Sequence, residues 1–431
     1  MDDTAIDRLT RAVGADSSRR RLLGALTGLG LGRVLAVLAT DDAGAEKPKD
    51  RLRRRTKQHR RKRRNEKRRN KNQNSNSTPG KKGGGLGATN CTVCAQGCAY
   101  TSVQAAIDAA SVGDTIAICA GRYTENLTIS KNLTLSGPSA DNPAAVGGAG
   151  GSSVVTVQDG VTTTILNMAF GLGTGTLAAG ELLGGGLINL GSVTLRDSSI
   201  SECTAQHGAG IYSFGPLTLD NVAILSNTAT GNGGGIFVGV QGGLTATNTT
   251  HVESNTATLG GGIYAEGGDV TITARSQVTG NTATSDGAGI YNIGAQLTLD
   301  NSFVQENTAQ RDGGGIYNHG TLIIQNDAVV DKNAALNGAG IYNTGDIGVD
   351  SPVLRLNDSA VTHNTASGVG GGIYNDSGTV TMQAGTVTNN TADTAGGLFN
   401  TDGGDVTFGE NSAVVENDPT NCVGTSTCPA A

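Results

Sequence analysis

Short runs of apolar residues spaced two apart, each broken by Gly or Asn, recur from about residue 184 to 417. Three kinds of run follow one another in fixed order. Gly-Gly-Ile-Tyr-Asn comes first, then Leu-Thr-Leu-Asp as at 217–220 and 297–300, then Val-x-x-Asn-Thr-Ala as at 278–283, 304–309 and 361–366. The aliphatic anchor of the first run falls at Ile211, Ile236, Ile263, Ile290, Ile316, Ile341, Ile373 and Leu398, at intervals of 25, 27, 27, 26, 25, 32 and 25 residues. Leu187, 24 residues before Ile211, is a degenerate earlier member. The one long interval contains Asp346–Pro352, which reads as a turn insertion. Period-two alternation sends every second side chain to one face of a strand, and a fixed repeat marks a solenoid. The pattern predicts an all-β chain: a right-handed parallel β-helix with three short strands per coil. Roughly a dozen coils between residues 113 and 418 give a length on the order of 60 Å.

Coils stacked in register place equivalent residues above one another. Ile and Leu then form inward ladders. Asn227, Asn255, Asn281, Asn307, Asn333, Asn364, Asn390 and Asn417 form a turn ladder whose amides can hydrogen-bond from coil to coil. Asn also tolerates left-handed turn geometry. Tyr212, Phe237, Tyr264, Tyr291, Tyr317, Tyr342, Tyr374 and Phe399 each follow the inward aliphatic residue, so alternation turns them outward as an aromatic stripe. Such a stripe can carry sugar rings or a partner protein, or it can pack against itself or a turn.

Upstream the wording changes. Ser102 can cap a short helix with Val103, Ala106, Ile107 and Ala110 on one face. Gly113 stops it, Thr115–Cys119 reads as a strand, and Leu127, Ile129, Leu133 and Leu135 alternate after it. The stretch Ser-Val-Gln-Ala-Ala-Ile-Asp-Ala-Ala, then Gly-Asp-Thr-Ile, then Gly-x-Tyr resembles the opening of pectate-lyase-like β-helix proteins. That resemblance implies a helix covering the first coil, where strand edges and the core end would otherwise lie open. Val-x-x-Asn followed by Gly-Gly-x-Ile, over about residues 184–417, is similar to the repeats of polymorphic outer-membrane proteins, a family of bacterial surface proteins. That likeness implies surface display and adhesion. Members that transport themselves end in a large membrane β-barrel, and only 32 residues follow Phe399, so neither a barrel nor self-secretion is expected.

Composition agrees with a narrow core of stacked layers. Gly accounts for 67 of 431 residues, Trp is absent and only 36% of residues are apolar, too few large side chains for an ordinary globule of this size. Charge divides the chain. Residues 47–72 hold 16 Lys/Arg against Asp50 and Glu66, whereas from residue 83 onward seven Lys/Arg face 28 Asp/Glu, a net of −21. Residues 46–90 contain almost nothing apolar and are expected to be a disordered basic linker. It is able to attract an anionic envelope polymer or lipid surface; no specific nucleic acid partner is expected. Before it, Ser18-Arg19-Arg20-Arg21-Leu22-Leu23, a weakly apolar stretch and Ala43-Gly44-Ala45 follow the order of an export signal over residues 1–45. The adjacent arginines resemble a twin-arginine signal peptide, which implies export of folded cargo from a bacterium. Leu22–Gly32 is far short of the ~20 apolar residues of a membrane span. The β-helix domain is placed at 91–431, with its cap at 91–120.

Seven cysteines occur. Cys91, Cys94 and Cys98 crowd the start of the acidic part, Cys119 follows, and Cys422 and Cys428 stand at its end. The first cluster could hold metal, but no neighbouring His completes a zinc set; in an exported protein, disulfides clipping the two ends are expected. Cys203, in a slot that later repeats give to Asn, is left unpaired. No metal or other cofactor is expected.

Catalytic signals are sparse. The position after Leu-x-Leu holds Arg196, Asp220, Thr247, Thr273, Asp300, Gln325, Asn357, Gln383 and Gly409, which puts Asp220 and Asp300 about three coils apart, too far to share a cation. Arg275, Arg311, Lys332 and Arg355 form no set. Asn400-Thr401-Asp402 matches one short polygalacturonase motif and reads as a turn, because the accompanying signatures are missing. The sequence thus points to an exported, non-enzymatic, adhesin-like or glycan-contacting rod. A lyase or hydrolase acting on acidic polysaccharide, and anionic-polymer binding through residues 47–72, are the alternatives.

Overall fold

The computed structural model describes residues 91–345, 352–401 and 403–429. The expected export signal and basic linker lie outside the described residues, as do nearly all of the 346–352 insertion and Asp402. The described chain is a parallel β-solenoid of about eleven turns with very little helix. Seven coils carry one short strand beyond the expected three segments. The Ile-Tyr strand pairs with its equivalents (Ile263 on Ile290, Ile290 on Ile316), and so do the Leu-Thr-Leu strand (Leu297 on Leu322) and the Val strand (Val278 on Val304). This additional two-residue strand runs from Thr204–Ala205, after Cys203, to Thr365–Ala366, after Asn364, and is Thr-Ala in six coils and Ala334–Ala335 in the other. The repeat motif hid it because two residues carry no alternation to read.

The core is a stack of identical layers. Ile290, Leu297, Leu299 and Val304 of one coil are fully buried, and so are Ile316, Leu322, Ile324 and Val330 of the next. Glycine before each Ile is required by the next coil. At Gly289 an added Cβ would stand 2.5 Å from the Gly315 carbonyl oxygen, closer than any side chain tolerates.

The turn asparagines are joined into one column. Asn281 Nδ2 donates to Asn307 Oδ1 (3.0 Å), Asn307 to Asn333 (2.9 Å) and Asn333 to Asn364 (2.9 Å). The same oxygens accept the backbone N–H of the preceding Asn, as Asn307 Oδ1 does from Asn281 N at 2.9 Å. Each Nδ2 also donates backwards to a carbonyl, Asn307 to Val278 O at 3.0 Å. The column begins where Cys203 N donates to Asn227 Oδ1 and ends on Asn421 Oδ1. The left-handed residue is not the Asn itself but the one before it: Ser226, Ser254, Glu306, Lys332 and His363 all have φ of 53–58°. The Asn keeps an ordinary backbone and spends its side chain inward.

A second amide column runs inside the Ile-Tyr ladder. Asn292 donates to Asn318, Asn318 to Asn343, Asn343 to Asn375 and Asn375 to Asn400, each at 2.7–2.8 Å. Its head, Asn292 Oδ1, is buried without a hydrogen-bond partner because the coil before it has Ala265 at that position.

The ends are closed differently. At the first coil, helix α1 (Val103–Ala109) buries Val103, Ala106 and Ile107. Glu125 holds its start, accepting from Ser102 Oγ, Val103 N and Gln104 N at 2.7–2.9 Å. Gln104 Oε1 accepts the Thr128 N–H at 2.8 Å, supplying to that strand the partner an earlier coil would have given. Lys131 Nζ donates to the Asp108 and Ala110 carbonyls at the helix end. Disulfides Cys91–Cys119 and Cys94–Cys98 bind the leading segment, Cys422–Cys428 closes the tail loop, and Cys203 is free and buried. Burial pushes its thiol up to about 11, which leaves it inert.

Replacing Asn307 by Ala strips the acceptor from two buried donors of Asn281. We expect a loss of about 3 kcal/mol or more, read as a lowered urea midpoint, whereas Thr298→Ala on the outward side of a strand stays within about 0.5 kcal/mol.

Candidate functional site

The eight aromatic residues do form one continuous stack. Successive ring centroids lie 4.5–5.3 Å apart from Tyr212 to Phe399, with interplanar angles of 3–28°. Coil spacing dictates this, because rings one coil apart in register meet face to face. The stripe packs against itself, ring on ring. The faces are occupied by neighbouring rings, so a sugar ring cannot lie flat along the stripe, and only ring edges are left to meet a ligand.

Only part of the stripe reaches solvent. Tyr212, Phe237 and Tyr264 are 3%, 3% and 5% exposed and share an apolar cluster with Ala178, Leu183, Ile188 and Leu190. Ala178 and Leu183 belong to an antiparallel hairpin, Thr176–Ala178 against Glu181–Leu183, inserted into an otherwise parallel fold. Glu181 Oε2 lies 3.4 Å from Nε2 of the buried His207, which meets Phe237 edge-on. Tyr291, Tyr317, Tyr342, Tyr374 and Phe399 are half-buried.

Acids border this outer half. Asp286 and Asp312, 26 residues apart, occupy the same position of adjacent coils, just ahead of Gly-x-Gly-Ile. Asp286 Oδ1 accepts the Asp312 N–H at 3.1 Å, Asn337 Nδ2 donates to Asp312 Oδ1 at 2.9 Å, and Arg311 lies 3.7 and 3.9 Å from the two carboxylates. Burial, then the Asp286 charge, pushes the Asp312 carboxyl above its ordinary range against the pull of Asn337 and Arg311. Burial first, then neighbouring phenols and Asp286 and Asp312, raises the Tyr317 hydroxyl; burial with Asp312 and Asp376 raises those of Tyr342 and Tyr374. These phenols are neutral donors at any physiological pH. The pair does not show at the position after Leu-x-Leu; it stands at the residue ahead of Gly-x-Gly-Ile, where two successive repeats both carry Asp.

Other acids are held by neighbouring side chains. Arg196 Nε meets Asp220 Oδ2 at 2.7 Å, and the Asn248 amide together with Arg196 holds the Asp220 carboxyl below the usual range. Gln325 and Asn326 both donate to Asp300 at 2.9 Å. Asn400 is an inward member of the second amide column, and Gly404 N donates to Thr401 O across a turn. Among the described residues no group of three or more His, Cys, Asp or Glu is placed to hold a metal ion, and no helix is long and apolar enough to cross a membrane.

No family model matches the sequence, and neither does any curated protein. Several solved structures are similar. Pectin methylesterase from Aspergillus niger is 13% identical over 80% of this chain and 92% of its own, with a TM-score of 0.31. A pectin methylesterase in complex with a hexasaccharide is 14% identical over 59% and 80%, with a TM-score of 0.32. The A-module of mannuronan C-5 epimerase from Azotobacter vinelandii is 14% identical over 73% and 94%, with a TM-score of 0.35. The fold class of this chain, a parallel β-solenoid, rests on its own ladders.

A carboxyl whose pKa is raised by folding favours the native state below the unfolded value of about 3.9 and loses that contribution as pH climbs through the folded value. Asp312→Asn keeps an acceptor for Asn337 and removes the desolvated charge. The variant is expected to melt higher than wild type at pH 7, with the difference fading as pH falls through the raised folded value and gone below about 4; thermal melts across that range check it.

Proposed function

We propose that this chain is an exported, adhesin-like rod that contacts neutral glycan along its acid-bordered tyrosine edge and catalyses no reaction. The observation that carries the reading is the partly exposed row from Tyr291 to Phe399, with Asp286, Asp312 and Asp376 beside it. Neutral phenols donate and carboxylates accept, which is the pairing that sugar hydroxyls need. A net of −21 from residue 83 onward works against acidic polymers. Three disulfides support an oxidising compartment outside the cytoplasm. The basic stretch at 47–72 suits a tether to an anionic envelope surface.

The second reading is a polysaccharide hydrolase using Asp286 and Asp312, favoured by their placement on adjacent coils. Against it, both carboxylates are already engaged: Ser285 Oγ donates to Asp286 at 2.7 Å, and Asn337 and Arg311 hold Asp312. The pair serves the turn.

A glycan array probed with the purified chain tests the proposal. Retention on neutral glycans is expected, and the double variant Tyr317→Phe/Tyr342→Phe, which keeps the rings and removes two hydroxyls, should weaken it about tenfold. Undiminished binding by that variant, or release of reducing or unsaturated sugar from any arrayed glycan, overturns the reading.

A further inference from the structure

The connectors between the Leu-Thr-Leu strand and the Val strand differ in length from coil to coil. In the register of the ladders, Ser136, Leu166, Arg196, Asp220 and Thr247 are equivalent, and so are Ala145, Ala169, Ser199, Ala223 and His251. Two residues join these ends in three successive coils, 167–168, 197–198 and 221–222. Eight do so in the coil before, 137–144, and three in the coil after, 248–250. Asn167, Asp197 and Asn221 make the tight turns by taking the left-handed conformation, with φ of 54°, 49° and 56°. Short turns between a long loop and a raised one leave a groove.

That groove encloses about 200 Å³, less than a drug-sized ligand needs and room for one ring-sized body. Its floor is built from short side chains. Ser199 and Ala223 face outward on successive coils, beside the buried Met168 and Val222. Pro143 of the long loop closes one end, and the outward His251, one coil beyond Ala223, stands at the other. Asp197 lies along the side. Asn221 Nδ2 donates to its Oδ1 at 2.6 Å, and its second oxygen has no hydrogen bond or ion pair among the described residues. Arg196, next to it in the chain, is taken up by Asp220 Oδ2 at 2.7 Å. No Lys or Arg lines the groove, so Arg196, Asp197 and Asp220 together leave one net negative charge at its rim.

We propose that this groove binds one amino-sugar ring, its protonated amine on the open oxygen of Asp197 and its hydroxyls on Ser199 and His251. A carboxylate with one oxygen committed to an amide and the other open offers one charge-assisted hydrogen bond, which an ammonium group supplies. The side chains of Ser199 and His251 carry no hydrogen bond among the described residues, so both are open to hydroxyls. A bare alkyl amine would cover these two groups and leave them unpaired, at a cost. The net of −21 from residue 83 onward draws cations to this surface and works against sugar carboxylates. The inference goes beyond the neutral-glycan reading above and uses none of its tyrosines.

Saturation-transfer NMR and calorimetric titration of the full chain with glucosamine, glucose, glucuronate and cyclohexylamine test it. Glucosamine is expected to bind about tenfold or more tightly than glucose or cyclohexylamine, and glucuronate not to bind. Asp197→Asn keeps an acceptor for Asn221 and removes the charge, and should bring glucosamine down to the level of glucose. Ala223→Leu, on the outward side of its strand, fills the groove without touching its charge. It should abolish binding and leave the thermal melt nearly unchanged. Absence of glucosamine binding, equally tight binding of any of the other three compounds, or unchanged affinity in either variant overturns the proposal. The Tyr317→Phe/Tyr342→Phe variant separates the two readings. It is expected to keep glucosamine binding in full, and loss of glucosamine there would move the amine to the tyrosine edge and overturn the groove.

Discussion

From Cys203 to Asn421, each coil of this protein depends on a buried amide finding its partner one coil away. Coil-to-coil backbone pairing alone tolerates slippage wherever a strand is short and its neighbours are chemically alike. The Asn columns remove that freedom. Asn307 makes four hydrogen bonds, two through Oδ1 and two through Nδ2, and all four require the coils above and below to be in register. An aliphatic core of stacked Ile, Leu and Val supplies the driving force, but it would accept several alignments. The amides accept one.

Fixed register accounts for the outer surface too. Once equivalent residues superpose, tyrosines at the same position must stack, and carboxylates at the same position must come together unless an amide or a guanidinium separates them. Asp286 and Asp312 show the second case, with Asn337 and Arg311 supplying the separation. Variation therefore enters through connectors and insertions. The hairpin at 176–183 covers the first three rings, and the tight turns at 197–198 and 221–222 open the groove.

The strand ladders, the turn amides and the capping helix were legible because each repeats, or carries a positional signature such as Ser102 before an apolar face. What escaped shares a different property. The Thr-Ala strand is too short to alternate. The second amide column was hidden because Asn292, Asn318 and Asn343 follow an outward tyrosine, and a polar residue at the end of a run reads as a turn rather than as an inward position. The acid pair and the groove depend on comparing one position across coils, and on connector lengths that are measurable only once register is known. The face-to-face stacking of the rings needed the coil spacing as well as the outward direction.

Both amide columns run the same way, each side chain donating toward the C-terminal coil. The molecule therefore has a grain. Removing one member leaves the N-terminal neighbour with orphaned N–H groups. The C-terminal neighbour keeps a backbone donor for its oxygen, as Asn333 Oδ1 still would from the N–H of residue 307. Damage at a single layer is thus felt upstream more than downstream, and fraying that starts at such a defect is biased toward the amino-terminal coils.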